Sequence, residues 1–419
     1  MRAKVVVIGG GVMGAAIAWQ LALRLDPHEE PVVLLEKKEL AAGSSGRSGA
    51  ILRQQYSDRV LAAMARDSLR VYSGFERNTG RHIGFVRMGV LTIAGAKQRE
   101  NQEMLRRNAA MQRELGIDVE LLDAAGMQRV APGLAVREGA LGAYEPGGGG
   151  VVPLRSVEAF AALARESGAA TRLGVRVESI AVEQGRVRGV ETSDGFIAAE
   201  EVVVAAGPWS RVLLERAGIE LPLRVVRPEQ YFKQMLEGPR TAEELRGGDE
   251  HEARLAWTKP VLPTPAHPVL LDLEGNFYSR CQPHEGRTRV GRMDYSEDAE
   301  ITDPDQVDET VSASYVEWAR ERIEERVPAY KGKADAGTSV GMYTLTPDAQ
   351  ALIGKRREVA GLWIATGFSG HGFKLAPSVG EGVAQMVCGQ PVGAFDAAFF
   401  DPHRFDGKSG ESWGRAFGL

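Results

Sequence analysis

The chain has 419 residues, more than one ordinary domain's worth, with 43% hydrophobic and 26% charged residues, the balance of a globular protein. A net charge of −5 argues against a nucleic-acid or anionic-membrane partner. Its two cysteines, Cys281 and Cys388, have neither metal-ligand spacing nor the pattern of a disulfide framework, and no apolar run approaches the roughly twenty residues of a membrane span. The expectation is a cytoplasmic protein without metal, and a first strand so close to Met1 leaves no room for a signal peptide.

Val5-Val6-Val7-Ile8 is short, apolar and β-branched, which predicts a buried strand. Gly9-Gly10-Gly11-Val12-Met13-Gly14 follows at once, and residues 15–25 continue as a helix. In this order each glycine of G-x-G-x-x-G has its own task. Gly9 permits a tight turn, Gly11 lets a pyrophosphate approach the backbone, and Gly14 lets the helix lie close to the strand. The helix start, with Val12 and Met13, offers unpaired N–H groups and a positive dipole end to phosphates. Pro31-Val32-Val33-Leu34-Leu35 predicts a second buried strand, with Glu36 and Lys37 at its carboxyl end. A carboxylate about twenty residues past the glycines can accept both ribose hydroxyls of an adenosine. The motif predicts dinucleotide binding and leaves NAD and FAD both open.

Residues 43–53, GSSGRSGAILR, are small and polar. Such a stretch can lie flat against a planar ligand and donate hydrogen bonds to it. An ordinary loop is the alternative, and Ile51, Leu52 and Tyr56 argue that the stretch packs. Residues 58–80 read as one apolar-faced helix, 84–94 as one or two strands, and 96–115 as a polar helix stopped by Gly116. Loops and short elements over 117–145 lead to a glycine break at 146–150 and a helix over 154–167. Residues 172–204 form a meander with turns at Gly185 and Asp194-Gly195. Within it 196–198 is a short strand. A separate buried strand over 202–207 ends in Ala206-Gly207, small enough to pass close under a cofactor. Pro208-Trp209-Ser210 then opens a helix to residue 217.

Residues 225–335 carry more aromatics and charges. They contain a surface insertion over 237–254, a hairpin over 277–294 and a helix over 305–326, and suit a sheet built over the dinucleotide domain. After Phe395 the chain is expected to trail over the surface.

Three features together resemble the amine- and amino-acid-oxidising flavoenzymes of the D-amino acid oxidase superfamily, above all the sarcosine oxidase branch. They are the glycine motif with Glu36, GSSGRSGAILR (43–53), and MYTLTPD (342–348) followed by GFSGHGFKLAPSVGE (367–381). The resemblance runs from residue 1 to about 390 and implies FAD instead of NAD. It implies an α/β protein with a glutathione-reductase-like FAD-binding (Rossmann) domain over 1–84, 147–224 and 336–395. An α+β substrate domain with a mixed or antiparallel sheet, over 85–146 and 225–335, interrupts it, and 396–419 form a C-terminal tail. The cofactor contacts implied are Ser44, Ser45, Arg47, Ser48, Gly49 and Ala50 in the flavin loop, and Val177 at the adenine. Ala206, Gly207, Trp209, Gly341, Gly370, His371, Gly372, Phe373 and Lys374 complete the set. A helix opened by Ala376-Pro377-Ser378 would aim its positive end at the isoalloxazine ring.

The resemblance also implies a substrate site. Arg53 and Lys374 match the cations that hold the substrate carboxylate in sarcosine-oxidase-like enzymes, and two buried cations make a good anion clamp. Tyr343 matches a tyrosine lining the pocket, with a core tyrosine as the alternative. The cysteine used for a covalent flavin link is replaced by Gly341, and residues 44–50 lack the histidine used by dimethylglycine-dehydrogenase relatives. FAD is therefore expected to be non-covalent. The oxygen-activating lysine of the family matches Arg289, with Arg292 as the alternative. Arginine keeps the charge but cannot lose its proton, which points toward a dehydrogenase. Met293 or Asp294 stands where the family has a pocket histidine.

The implied reaction is oxidation of the C–N bond of a small, N-substituted amino acid, by hydride transfer to flavin N5, to an imine that water hydrolyses. Electrons pass to O2 or another acceptor. An electron-transferring subunit of a hetero-oligomer, and a non-catalytic flavin-binding assembly factor with a lost clamp, are the alternatives.

Overall fold

The computed structural model describes residues 2–238, 264–295 and 298–407. Its first eight-stranded sheet has a parallel centre. Strand Arg2–Ile8 lies between Gly195–Val204 and Val32–Glu36, and Ala170–Leu173 flanks the latter. On the other side Leu362–Thr366 also runs parallel to Gly195–Val204, while Arg186–Thr192 and Val177–Glu183 add antiparallel strands. Val5, Val6 and Val7 are fully buried, as a parallel sheet covered on both faces requires. Their alternation divides the core. Val5 and Val7 pack with helices Val12–Ala22, Pro153–Glu166 and Gly372–Val387, and Val6 and Ile8 pack with Leu213 and Leu214 of helix Ser210–Arg216.

A second eight-stranded sheet runs Asp335–Val340, Glu229–Gln234, Arg287–Arg292, Phe277–Gln282, Val269–Asp272, Val90–Ala94, Leu141–Glu145, Glu120–Leu122. All neighbours are antiparallel except Val269–Asp272 with Val90–Ala94. Alternation along Phe277–Gln282 matters for the site. Phe277 packs toward helix Ala313–Arg326, whereas Tyr278 packs with Tyr343 and Met293. The α/β architecture with a second, mixed sheet is the one the sequence predicts.

Several elements differ from their predicted extents. The first helix begins at Val12, immediately after the turn. The 58–80 helix is broken at Gly74 into Arg59–Ser73 and Phe75–Thr79, the first capped by the Asp58 carboxylate. Residues 196–198 and 202–204 belong to one strand, Gly195–Val204. The helix expected from 305 starts at Ala313, where Ser312 supplies the cap, and Asp305 is spent elsewhere. The helix expected to open at 376 starts at Gly372 and carries Pro377 inside it. Residues 396–407 pack instead of trailing: Phe395 and Phe400 are buried edge to face, and Arg404 pairs with Asp348 at 2.8 Å, while the rest of the expected tail lies outside the described residues. Beyond residue 238, the insertion expected over 237–254 lies outside the described residues. Among the described residues no helix is long and apolar enough to cross a membrane.

Candidate active site

The glycine turn forms one wall of a long cleft. Gly9 has φ +113, a conformation open to glycine, and a side chain there would strike the Ala205 carbonyl. Gly14 meets the Gly9 carbonyl so closely that a methyl group would collide with it, so it serves helix packing and not the cleft lining. Gly11 caps the helix without any side-chain acceptor, which leaves first-turn N–H groups for a ligand. Val12 N–H is met by Ser45 Oγ at 2.9 Å. Glu36 is already oriented: it accepts from Gly10 N–H at 2.7 Å and from Lys38 N–H at 2.9 Å.

From this turn the cleft is lined by Gly9, Gly11, Val12 and Met13, with Glu36 and Lys37 at the end of the second strand. Ser44, Ser45 and Ser48 line it from the loop after that strand, and Val177 from the meander. Ala206, Gly207 and Trp209 contribute where the long parallel strand ends, and Gly370, Gly372 and Phe373 where the last helix begins. Asp305 closes one part of the rim. It accepts from Trp209 Nε1 at 3.0 Å, Arg176 at 3.2 Å and Lys37, whose ammonium lies 3.8 Å from the Trp209 ring centre.

Besides Gly14, the residues expected at the cofactor that sit off this lining are Gly49, Ala50 and Lys374, which line a smaller cavity beside it, and Arg47, Gly341 and His371. Arg47 reaches the Val340 carbonyl at 3.0 Å and pairs with Glu309. Gly341 packs against Pro228, and its N–H donates to the Pro228 carbonyl at 2.9 Å. His371 is buried behind the wall and stacks on Tyr56 with ring centres 5.7 Å apart. Burial, with the charges of Lys374 and Arg53, holds its imidazole well below the usual range.

A smaller cavity shares Ser48, Tyr343, Gly370 and Phe373 with the cleft. Gly49, Ala50 and Ile51 line one side, Leu271 and Tyr278 another, and Arg53 and Lys374 reach in from the two ends of the polypeptide. Arg53 is 1% exposed, lies 4.4 Å from the Tyr56 ring centre and donates to the Gln55 carbonyl. Lys374 sits in the first turn of helix Gly372–Val387. Burial lowers the proton affinity of both, and the guanidinium beside it lowers that of Lys374 further, well below an ordinary lysine. Burial pushes the Tyr343 and Tyr278 hydroxyls upward, so both stay protonated.

Behind this wall Arg280 and Arg289 face each other across the hairpin as register partners. Arg289 donates to the Arg47 carbonyl at 2.8 Å and to Gln230, and its stem touches Gly49. Arg280 donates to the Gly49 carbonyl and to the Val151 carbonyl at 2.9 Å. Burial first, then its neighbour Arg289, brings Arg280 down to about 9. Arg292 instead pairs with Asp298, so of the two candidates Arg289 is the one that meets residues 47–49, as Arg280 does from the facing strand. Neither Arg280 nor Arg289 lines the small cavity. Tyr278, Arg280 and Asp305 escape a reading of the sequence. The alternation of FYSRCQ holds the signal for the first two, once its phase against the sheet is known.

The cleft fits FAD on the evidence of this chain: a glycine cradle that side chains would fill, uncapped helix N–H groups, a fixed carboxylate and a wall continuing from Glu36 to Phe373. Residues 4–386 match the family of FAD-dependent oxidoreductases, and the chain belongs to it. It is 28% identical, over 96% of its length, to the 4-methylaminobutanoate oxidase (formaldehyde-forming) of Paenarthrobacter nicotinovorans. It spans about half the length of that relative, 46%, and the same share of human mitochondrial dimethylglycine dehydrogenase. Against the monomeric sarcosine oxidase of Bacillus sp. (strain B-0618) it is 27% identical over 91% of both chains. Among solved structures, L-proline dehydrogenase from P. horikoshii superposes with a TM-score of 0.81 at 26% identity, covering 96% of this chain and 98% of that one.

Proposed function

We propose that this chain is an FAD-dependent oxidoreductase acting on the C–N bond of a small, N-substituted amino acid. The observation that carries the reading is the shared wall: Arg53 and Lys374 line a cavity that opens through Ser48, Tyr343, Gly370 and Phe373 onto the dinucleotide cleft. The names of the relatives, which include oxidases and dehydrogenases of N-methylated amino acids and of proline, support it. FAD would be held by the 9–14 turn, Glu36 and the 44–48 loop. Among the described residues no cysteine or histidine lines the cleft, which supports a non-covalent cofactor. When bound, FAD supplies the hydride acceptor that turns the substrate amine into an imine, which water then hydrolyses.

The protein's own part is binding and orientation. Arg53 and Lys374 receive the carboxylate, and fixing it against the wall contributes several kcal/mol by orientation, on the order of 10^2-fold or more in rate. Among the described residues the cavity lining contains no carboxylate to stabilise an ammonium, which favours the neutral amine. Tyr343 and Tyr278, held protonated, offer hydroxyl donors. Ile51, Leu271 and Phe373 keep the surroundings apolar. Helix Gly372–Val387 begins at the cleft, so its positive end favours negative charge there.

A second reading differs in where the electrons go. Arg289 is engaged by a carbonyl and by Gln230, and this favours a dehydrogenase, alone or as one subunit of a hetero-oligomer, over a fast oxidase. An assembly factor without turnover is disfavoured by the intact clamp. Free Cys281 and Cys388 suit a reducing cytoplasm. The experiment is an amine panel on the FAD-loaded chain, followed by flavin absorbance with and without oxygen. Anaerobic bleaching by N-substituted amino acids is expected. No bleaching by any carboxylated amine would sink the proposal, and peroxide against dye reduction separates oxidase from dehydrogenase.

A further inference from the structure

Lys374 is 6% exposed, lines the small cavity from the first turn of helix Gly372–Val387, and has no carboxylate partner among the described residues. Burial first, and then the Arg53 charge, disfavours its ammonium. Behind the lining, Arg280 on the Gly49 carbonyl and Arg289 on the Arg47 carbonyl are further buried cations, and like charge acts in the same sense. Glu145 lies off the lining: its Oε2 accepts the N–H of Gln54, the residue after Arg53, at 2.7 Å, and its Oε1 accepts from Gln112 at 3.3 Å. Arg53 keeps its proton. The Tyr278 and Tyr343 hydroxyls of the lining are pushed up by burial, as are those of Tyr56 and Tyr72 behind it. His371 is neutral but stacks on Tyr56 outside the lining. Among the described residues Lys374 is thus the base of the lining that can accept a proton.

A free amino acid reaches the site as a zwitterion. Loss of hydride from carbon draws on the nitrogen lone pair, and an ammonium has none, so a proton must leave before oxidation. We propose that Lys374 takes that proton: the carboxylate enters the clamp, an N–H bond of the substrate ammonium breaks, and a new N–H bond forms on Lys374 Nζ. This rests on the clamp reading given above. The proton moves from nitrogen to nitrogen, so the complex keeps its net charge and no oxidant or reductant is used. Each partner is left in the form the reaction needs. Lys374 becomes the cation that pairs with the carboxylate, and the substrate becomes the neutral amine. The carboxylate itself drives the transfer, since an opposite charge favours the ammonium that burial and Arg53 disfavour.

The test is calorimetric titration of the FAD-loaded full chain at about pH 8, in two buffers of different ionisation enthalpy, which counts the protons exchanged on binding. At that pH a free amino acid is still zwitterionic and an ordinary lysine is charged. Acetate has no ammonium, so its binding should draw about one proton per site from solvent. α-Methylalanine is a zwitterion with no hydrogen on its α-carbon and no N-methyl group, so it binds without being oxidised. It should draw close to none, because it brings its own. Equal uptake with both ligands would leave the proton on the substrate nitrogen and overturn the proposal. No uptake with acetate would mean that Lys374 is charged beforehand, and is equally fatal. In Lys374→Arg the acetate uptake should vanish. If it persists, His371 or Arg280, itself brought down to about 9, holds the proton and Lys374 does not. The comparison of the two ligands on the unaltered protein stands without this variant. Failure of the unaltered protein to bind acetate overturns the clamp reading itself, a result distinct from any proton count.

Discussion

The Tyr72 hydroxyl donates to the Phe373 carbonyl at 2.7 Å, the acceptor that Pro377 leaves empty within helix Gly372–Val387. Residue 377 would ordinarily bond four residues back, and proline has no N–H to do so. One step further on, Ser378 N–H goes to Ser68 Oγ at 3.3 Å, and the two serine hydroxyls lie 2.8 Å apart. Helix Arg59–Ser73 thus supplies, from outside, the bonds that the proline disturbs. Phe373 lines both cavities, so this repair lies directly behind the site.

Tyr72→Phe removes the donor and strands a buried carbonyl. The cost should be about 1–3 kcal/mol, visible as a lower midpoint in thermal or urea unfolding of the FAD-loaded protein. An unchanged midpoint would mean that the hydroxyl does not close the gap.

The clamp makes a prediction about substrates instead of stability. Arg53→Ala should raise KM for carboxylated amines by about 100-fold, the scale of one charge-assisted hydrogen bond lost from a buried site. An amine of the same shape without the carboxylate should show little change. Steady-state kinetics on the paired substrates checks this, and equal losses on both would remove Arg53 from carboxylate binding.

The cofactor cleft was largely legible because its signals are local. Gly9, Gly11, Gly14 and Glu36 fall within two strands and a turn, where spacing and burial dictate the geometry. The convergence of Arg53 and Lys374 is not local, and only the resemblance of two distant stretches pointed to it. Pro377 misplaced the helix start because a proline inside a helix depends on a donor from another element, here Tyr72. Asp305 resembles a first-turn helix acid in the sequence, yet it is held by Lys37, Arg176 and Trp209. Glu145 gave no sign at all, since its partner Gln54 is joined to it only by the pairing of layers.

Asp305 gives a prediction about cofactor retention. It ties together three residues that line the cleft, so Asp305→Ala should take from Lys37 its carboxylate partner, leave Arg176 only Glu178 at 3.9 Å, and loosen the rim. FAD affinity, measured by fluorescence during titration of the deflavinated protein, should fall severalfold. The difference from the unaltered protein should shrink at high salt, where exposed charge pairs are screened. Equal affinity at low salt would show that the rim contributes nothing.

Lys374 gives a prediction about pH. Burial and the neighbouring Arg53 hold its ammonium well below the ordinary range, whereas a bound carboxylate favours the charged form and raises it again. Anion binding therefore takes up a proton. Affinity is full below the proton-loss range of the free clamp and falls as pH rises through it, by about tenfold per unit. Of the other groups beside the site, Arg280, brought down to about 9 by burial first and then by Arg289, also loses a proton on the alkaline side, and Lys374→Arg separates its contribution from that of Lys374. Arg53 stays charged, His371 is held neutral, the Tyr343 and Tyr278 hydroxyls are pushed up, and Tyr56 is raised to about 12. Acetate inhibition measured against pH, with no substrate amine to titrate, isolates the effect. Lys374→Arg replaces the group by one that keeps its proton, so its share of the alkaline loss should move beyond the measurable range. A limb that stays in place in Lys374→Arg would assign the proton to another residue.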